Sequence, residues 1–296
     1  MARVVGLGEL LWDLFPDGKV LGGAPANFAF HAAALGHDAH VASRVGRDDL
    51  GREMLAALAQ RGLGTRCIQI DRDHPTGTVP VRVGPDGAPT FSIVPNVAWD
   101  YLDDEPALYD LMARADLVGV GTLAQRSEQS ARTIQRLLGA CSAPVLFDAN
   151  LRHRLWSAEV IAANLDHTTI LKVDRREWDR LVELGLAPHG APPIEACRTL
   201  IERHHLAWVC ITRGADGCLL VSADDAVEHP GFAVTVVDTV GCGDAFAAAV
   251  ADGWLAQRSL SEIAHRANRL GAWVAAHRGA TVDHPDSESP WRATAR

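Results

Sequence analysis

The chain has 296 residues, 48% hydrophobic and 22% charged, enough to bury a large core without disulfide or metal staples. Its formal net charge of −9 repels nucleic acid and anionic membrane surfaces, so the expected partner is a small molecule, with no nucleic acid and no membrane. The six cysteines form no C-x-x-C pair and the N-terminus lacks the features of a leader, so the expectation is free thiols in a cytoplasmic protein.

In chain order, residues 3–9 read as a short buried strand that ends in glycines and an acid. Residues 24–35 read as an Ala-rich helix, with Pro25 near its start and Gly36 as its stop. A strand over 41–45 and a helix over 49–62 follow. Residues 76–94 alternate around a Pro/Gly/Asp turn, which predicts a β-hairpin that leaves the main body and pairs with 12–21. Strands are expected at 115–121, 144–150, 168–173, 207–212, 217–222 and 232–238. Helices are expected at 126–139, 157–164, 175–184, 192–204, 242–256 and 260–277, before a frayed tail. The alternation predicts an α/β fold: an open, mostly parallel sheet covered on both faces, with an antiparallel edge from the late strands.

The most informative stretch is Asp238 to Phe246. A strand end, a glycine-punctuated turn and an Ala-rich helix leave backbone amides uncovered at a helix N-terminus, a site for anionic oxygen. Asp244 falls in the first helical turn beside it, where a carboxylate can take a proton from an attacking hydroxyl. The bland alternative is an ordinary helix start with an acid favoured by the dipole. No G-x-x-x-x-G-K-[ST] loop and no H-R-D-x-x-x-x-N segment occur, which excludes a P-loop enzyme and disfavours a protein kinase. Gly6-Leu7-Gly8 lacks the third glycine of a dinucleotide fingerprint, because residue 11 is Leu.

The stretch Asp238-Thr239-Val240-Gly241-Cys242-Gly243-Asp244 resembles the D-T-x-G-A-G-D signature of the ribokinase-like (PfkB) carbohydrate kinases, with Cys242 in place of Ala. The resemblance runs almost end to end. Gly22-Gly23-Ala24-Pro25-Ala26-Asn27 is similar to the family's G-G-A-x-x-N turn, and Val45 to Gly51 to its V-G-x-D-x-x-G element. Thr212-Arg213-Gly214-Ala215-Asp216-Gly217 resembles its T-x-G-x-x-G strand end, and Asn268 to Ala272 with Gly279-Ala280 its closing helix and loop. Phe147-Asp148-Ala149-Asn150-Leu151-Arg152 resembles the F-D-x-N-x-R stretch of the fructokinase and ketodeoxygluconate kinase branch, and the opening Gly8 to Gly18 with Gly22 to Ala29 is most similar to bacterial fructokinases.

The resemblance implies a ribokinase-like three-layer α/β/α sandwich with a small β-sheet lid. The main domain would span 1–11, 22–75 and 96–296, and the lid 12–21 and 76–95. The implied activity is ATP-dependent phosphorylation of a sugar hydroxyl, most simply fructose. Asp244 would be the base and Gly241, Cys242 and Gly243 the anion hole. Asp13, Gly22, Gly23, Asn27, Asn150 and Arg152 would bind sugar, and Lys172, Thr212, Gly214, Gly217 and Asn268 the nucleotide. Asp174 and Glu177 would organise Mg2+ through water, with Asp174 standing where Asn or Ser is usual. K+ beside Asp238 and a homodimer through the lid are further expectations. The resemblance leaves a 2-keto-3-deoxygluconate kinase, a ribokinase or nucleoside kinase, and a catalytically silent relative as alternatives. Trp99 and Asp100 are either part of the sugar-side wall or ordinary packing.

Overall fold

The computed structural model describes residues 1–83 and 89–282. Strand β1 (Arg3–Leu7) is an apolar run buried on both faces. The chain turns at Gly8 into β2 (Leu11–Phe15) and β3 (Gly18–Gly22), which pair antiparallel. Helix α1 (Ala24–Ala34) starts with Pro25 in its first turn, where a missing N–H costs nothing. Strand β4 (Asp38–Gly46) leads to α2 (Asp49–Gln60). Asp48 caps α2 by accepting the Gly51 amide at 2.7 Å, and its other oxygen accepts the Thr76 amide at 2.8 Å. One carboxylate thus closes a helix and ties down the root of the next excursion. After β5 (Ile68–Asp71), strands β6 (Gly77–Val83) and β7 (Pro89–Phe91) are the antiparallel arms of the expected hairpin. Its turn lies outside the described residues, as does the tail expected to fray.

The remainder alternates. Helix α3 (Pro106–Met112) precedes β8 (Leu117–Gly121), α4 (Glu128–Ala140), β9 (Val145–Asp148), α5 (Ala158–Leu165) and β10 (Ile170–Asp174). Then come α6 (Arg175–Glu183), α7 (Pro193–His204), β11 (Trp208–Thr212), β12 (Cys218–Val221), β13 (Ala226–His229), α8 (Cys242–Leu255) and α9 (Leu260–Ala275).

Among the described residues, nine strands form one sheet in the order β13-β12-β11-β10-β9-β8-β1-β4-β5. It is parallel except where β12 and β13 run antiparallel at one edge. Successive strand residues feed opposite faces: Val4 enters one core and Val5 the other. One core is closed by α1, α2, α8 and α9, and the other by α3 to α7. In α4, Ile134, Leu137 and Leu138 recur at i, i+3 and i+4 and form the buried stripe. The result is a three-layer α/β/α sandwich. A separate four-stranded sheet, β3-β2-β6-β7, stands apart from it, with β2 and β6 parallel. Trp12 anchors this small sheet by donating from Nε1 to the Leu50 carbonyl at 3.0 Å.

One expected strand is absent. Residues 232–238 form no ladder, and Val234, Val236 and Val237 are exposed. The strand that pairs with β12 is the shorter, more polar Ala226–His229. Ser222 and Asp225 set the tight turn between them: the Ser222 amide donates to the Asp225 carbonyl at 2.9 Å. Residues 232–238 pass on towards α8, and the Val237 amide donates to the Ala275 carbonyl at the end of α9, at 2.8 Å, in place of a strand partner.

Candidate active site

Strand β1 has neighbours reached by opposite crossovers, β4 on one side and β8 on the other. The strand order reverses there, and open α/β sheets hold their ligands beyond the carboxyl ends at such a point. A cleft of about 460 Å³ lies at this place. It is walled by the residues after β1, the starts of α1 and α8, the loop after β9, and side chains of the small sheet.

The head of α8 is a shaped turn. Asp238 accepts the Val240 amide on Oδ1 at 3.0 Å and the Gly279 amide on Oδ2 at 2.9 Å. Gly241 has φ 79°, and a Cβ there would lie 2.5 Å from the Cβ of Ala280, so glycine is required on both counts. The first helical hydrogen bond of α8 runs from the Ala245 amide to the Gly241 carbonyl at 2.9 Å. The amides of Gly243 and Asp244 precede it and have no acceptor within the helix. Gly241 and Gly243 line the cleft; Cys242 faces Asp238 instead, its Sγ 3.9 Å from that carbonyl oxygen.

Asp244 is buried at the cleft wall, and its Oδ2 accepts from Asn27 Nδ2 at 2.8 Å. Burial raises its pKa, opposed by the Asn27 hydrogen bond and by the charges of Lys172 and Arg152. A carboxylate aimed by a neighbour and made more basic by burial is suited to take a proton.

Asp13, Gly23, Ala24 and Asn27 form an adjoining wall, Asn27 reaching across to Asp244. Gly23 has φ 109°, and a Cβ on it would meet the Glu9 carbonyl oxygen at 2.6 Å. Gly22 lies just outside this lining, pressed against the Asp13 carboxylate. Burial pushes Asp13 up to about 6, with Arg152 opposing. Leu11, Val79, Phe91 and Ile93 complete this wall from the small sheet and its exit.

Asn150, Arg152 and Lys172 come from the ends of β9 and β10. Asn150 has φ 42°, held by bonds on both sides: the Ala149 amide donates to the Lys172 carbonyl at 3.0 Å, and the Leu151 amide to Glu177 Oε1 at 2.7 Å. Lys172 Nζ donates to Asp148 Oδ2 at 2.7 Å in a buried ion pair. Burial opposes the charge on Lys172, but Asp148, Glu177 and Asp244 outweigh it and hold its pKa above the usual value. A Cβ on Gly243 would lie 2.9 Å from Nζ, so this ammonium stands directly beneath the glycine turn.

Asp174 and Glu177 form a capping box at the start of α6, each carboxylate accepting the other's amide at 2.8 and 2.7 Å. Glu177 therefore gives one oxygen to the helix and the other to Leu151. Among the described residues, no three His, Cys, Asp or Glu side chains converge as a metal cage.

Thr212, Gly214, Gly217 and Asn268 are not in the cleft lining. The first three shape the turn from β11 to β12, where the Arg213 amide donates to the Gly217 carbonyl at 2.7 Å. Asn268 is buried, donating from Nδ2 to the Ala264 carbonyl at 2.7 Å and the Cys218 Sγ at 3.0 Å. Trp99 is packing: it is 1% exposed and lies under Arg126, which grips Asp100 through two nitrogens at 2.7 and 2.8 Å. Glu9 and Asp148 were not singled out as site residues from the sequence. The available signal was their position, an acid at the end of an apolar strand.

Residues 17–287 match the pfkB family of carbohydrate kinases. The chain belongs to this family. A sugar kinase of Pyrococcus horikoshii is 28% identical, over 94% of this chain and 91% of that one. Its structure in complex with ATP superposes with a TM-score of 0.80 at 27% identity, over 94% of each chain. The fructokinase of Escherichia coli is 28% identical over 96% of each chain. Fructokinase of Vibrio cholerae, solved with fructose, ADP and calcium, has a TM-score of 0.79 at 26% identity over 95% of each chain. The sandwich is thus ribokinase-like, and this pfkB kinase is an ATP-dependent sugar kinase. No helix among the described residues is long and apolar enough to cross a membrane.

Proposed function

We propose that this pfkB kinase transfers the γ-phosphoryl group of ATP to a hydroxyl of fructose, with Asp244 as the base. The observation that carries the reading is the Asp244 carboxylate: buried, bonded to Asn27 and set in the wall of one cleft beside first-turn amides that have no acceptor within the helix. Asp13 and Asn27 bind and orient the sugar, while Gly22 and Gly23 let the backbone come close. Asp244 takes the proton of the attacking hydroxyl. The amides at Gly241 to Asp244, with Arg152 at the rim, stabilise charge on the phosphoryl oxygens. Lys172 adds a fixed positive charge under the same turn. Thr212, Gly214 and Gly217 face the nucleotide, and Asn268 supports them by holding α9 against β12.

The four-stranded sheet, with 12–21 and 76–95 as its segments, is read as a lid that closes over the sugar and expels water. A divalent cation such as Mg2+ would neutralise phosphate charge. Asp174 and Glu177 fit it through water, since their oxygens already accept amides and Mg2+ keeps several waters. K+ would sit near Asp238 and the 275–282 loop on backbone carbonyls. A cytoplasmic enzyme, dimeric through the lid edge where Val20 is exposed, completes the reading.

Fructose is preferred over 2-keto-3-deoxygluconate on charge. Asp13 and Asp244 line the cleft and Lys172 is tied to Asp148, so a substrate carboxylate would meet repulsion. It is preferred over a nucleoside because, among the described residues, Phe91 is the one Phe, Tyr or Trp in the lining. The test is ATP consumption with fructose, ribose, 2-keto-3-deoxygluconate, tagatose and adenosine. Fructose should give the highest kcat/KM, and Asp244→Asn should lower kcat by about 10²–10⁴ while ATP still binds. Near-normal turnover in that variant would remove Asp244 as the base, and a preference for the acid sugar would overturn fructose.

A further inference from the structure

One buried carboxyl group in the cleft has no part in the steps above. Glu9 follows β1 and is 2% exposed. Its Oε1 accepts the amide of Ala24, the first residue of α1, at 3.2 Å. Its Oε2 is shielded from solvent and has no hydrogen-bond partner. Gly23 rests on the Glu9 carbonyl, so the side chain and backbone of this residue both touch the entry to α1.

An ionised carboxylate with one bare oxygen in such a place is costly, because nothing replaces the water it has lost. A neutral carboxyl group has no such cost: Oε1 still serves Ala24 and Oε2 carries the proton. The charged and titratable groups that line the same cleft are Asp13 from β2, Arg152 and His153 from the loop after β9, Lys172 from β10 and Asp244 from α8. Helix α1 contributes Ala24 and Asn27, both uncharged. With Lys172 committed to Asp148, Arg152 and His153 face three carboxyl groups.

We propose that Glu9 is a positioning residue that works as an uncharged acid: it fixes the start of α1 through Ala24, and with it the Asn27–Asp244 pair, and loss of its proton ends sugar phosphorylation. The inference rests on the reading of this cleft as the sugar and phosphoryl site. Once ionised, Glu9 adds a second negative charge close to Asp244 and to the oxygens of the transferring group, and the two repel. Burial above all, then the charge of Asp244, push Glu9 up to about 7, with its own and the Ala24 amides and Arg152 opposing. The sign follows: below that pH Glu9 is neutral and the cleft is competent, and above it the cleft gains charge and loses activity.

Two measurements test this. The first is the pH dependence of kcat/KM for the preferred sugar in the wild type and in Glu9→Gln, which keeps an oxygen for Ala24 and cannot ionise. The wild type should lose activity above about pH 7 with a single proton, and the variant's alkaline limb should move up by about one unit or more. An unmoved limb would overturn the proposal. The second needs no substrate: the infrared difference spectrum of wild type minus Glu9→Gln. It should contain the carbonyl band of a protonated carboxylic acid at about pH 6, and that band should vanish by about pH 8. Its absence at the lower pH would sink the idea even if every sugar were phosphorylated. Failure of all sugars to react, with the band present, would instead count against the substrate reading.

Discussion

Lys172 shows how much one side chain can hold. Its ammonium neutralises Asp148 in a buried pair, and Asp148 keeps a second oxygen, Oδ1, with no partner. Removing the ammonium leaves an uncompensated buried charge. Lys172→Met should therefore lose about 3–5 kcal/mol in urea denaturation. Adding Asp148→Asn should restore part of that loss, since the remaining group is then neutral. A Lys172→Met protein as stable as wild type would show that the pair contributes nothing. At this scale the sequence was a fair guide wherever chemistry is local. The glycine turn and Asp244 could be read from nine residues because a helix start exposes its own amides. Glu9 could not, because its meaning depends on Ala24 and Asp244 standing against it across the fold. Lys172 was expected to touch nucleotide, and only the packing of β9 beside β10 shows that it is paired with Asp148 under the turn.

The elements follow the same division. Strands buried on both faces, such as Leu117–Gly121 and Cys218–Val221, are continuous apolar runs and announce themselves. The edge strand Ala226–His229 does not: it is four residues long, half buried and partly charged, and exists because β12 offers it a ladder. The apolar run at 232–238 imitates a strand but joins no ladder: the Val237 and Asp238 amides donate instead to the Ala275 carbonyl at 2.8 and 3.3 Å. In the proposed mechanism the functional part at the start of α8 is the backbone itself. Gly241→Ala would need a left-handed backbone, at a cost of roughly 1–2 kcal/mol, and would also push against Ala280. The expected outcome is a melting temperature lower by a few degrees and a larger fall in kcat than in sugar affinity. A variant that melts lower yet keeps full kcat would mean that this turn holds no phosphoryl group.

In the whole molecule, two sheets meet over one cleft, and the smaller reaches it through Leu11, Asp13, Val79 and Phe91. In the proposed mechanism sugar draws that sheet down, so without sugar the reacting groups are not aligned and water competes poorly. ATP hydrolysis in the absence of sugar should run at about a hundredth of the sugar-stimulated rate or less. Equal rates, followed by phosphate release, would mean that the small sheet does not control access. The Asn27–Asp244 hydrogen bond spans 217 positions of sequence. It joins the first turn of α1, near the beginning of the chain, to the first turn of α8, near its end. During synthesis on the ribosome, α1 can form long before α8 emerges. If Asp244 is the base as proposed, the nascent chain gains catalytic competence only late, when α8 docks against a helix made far earlier.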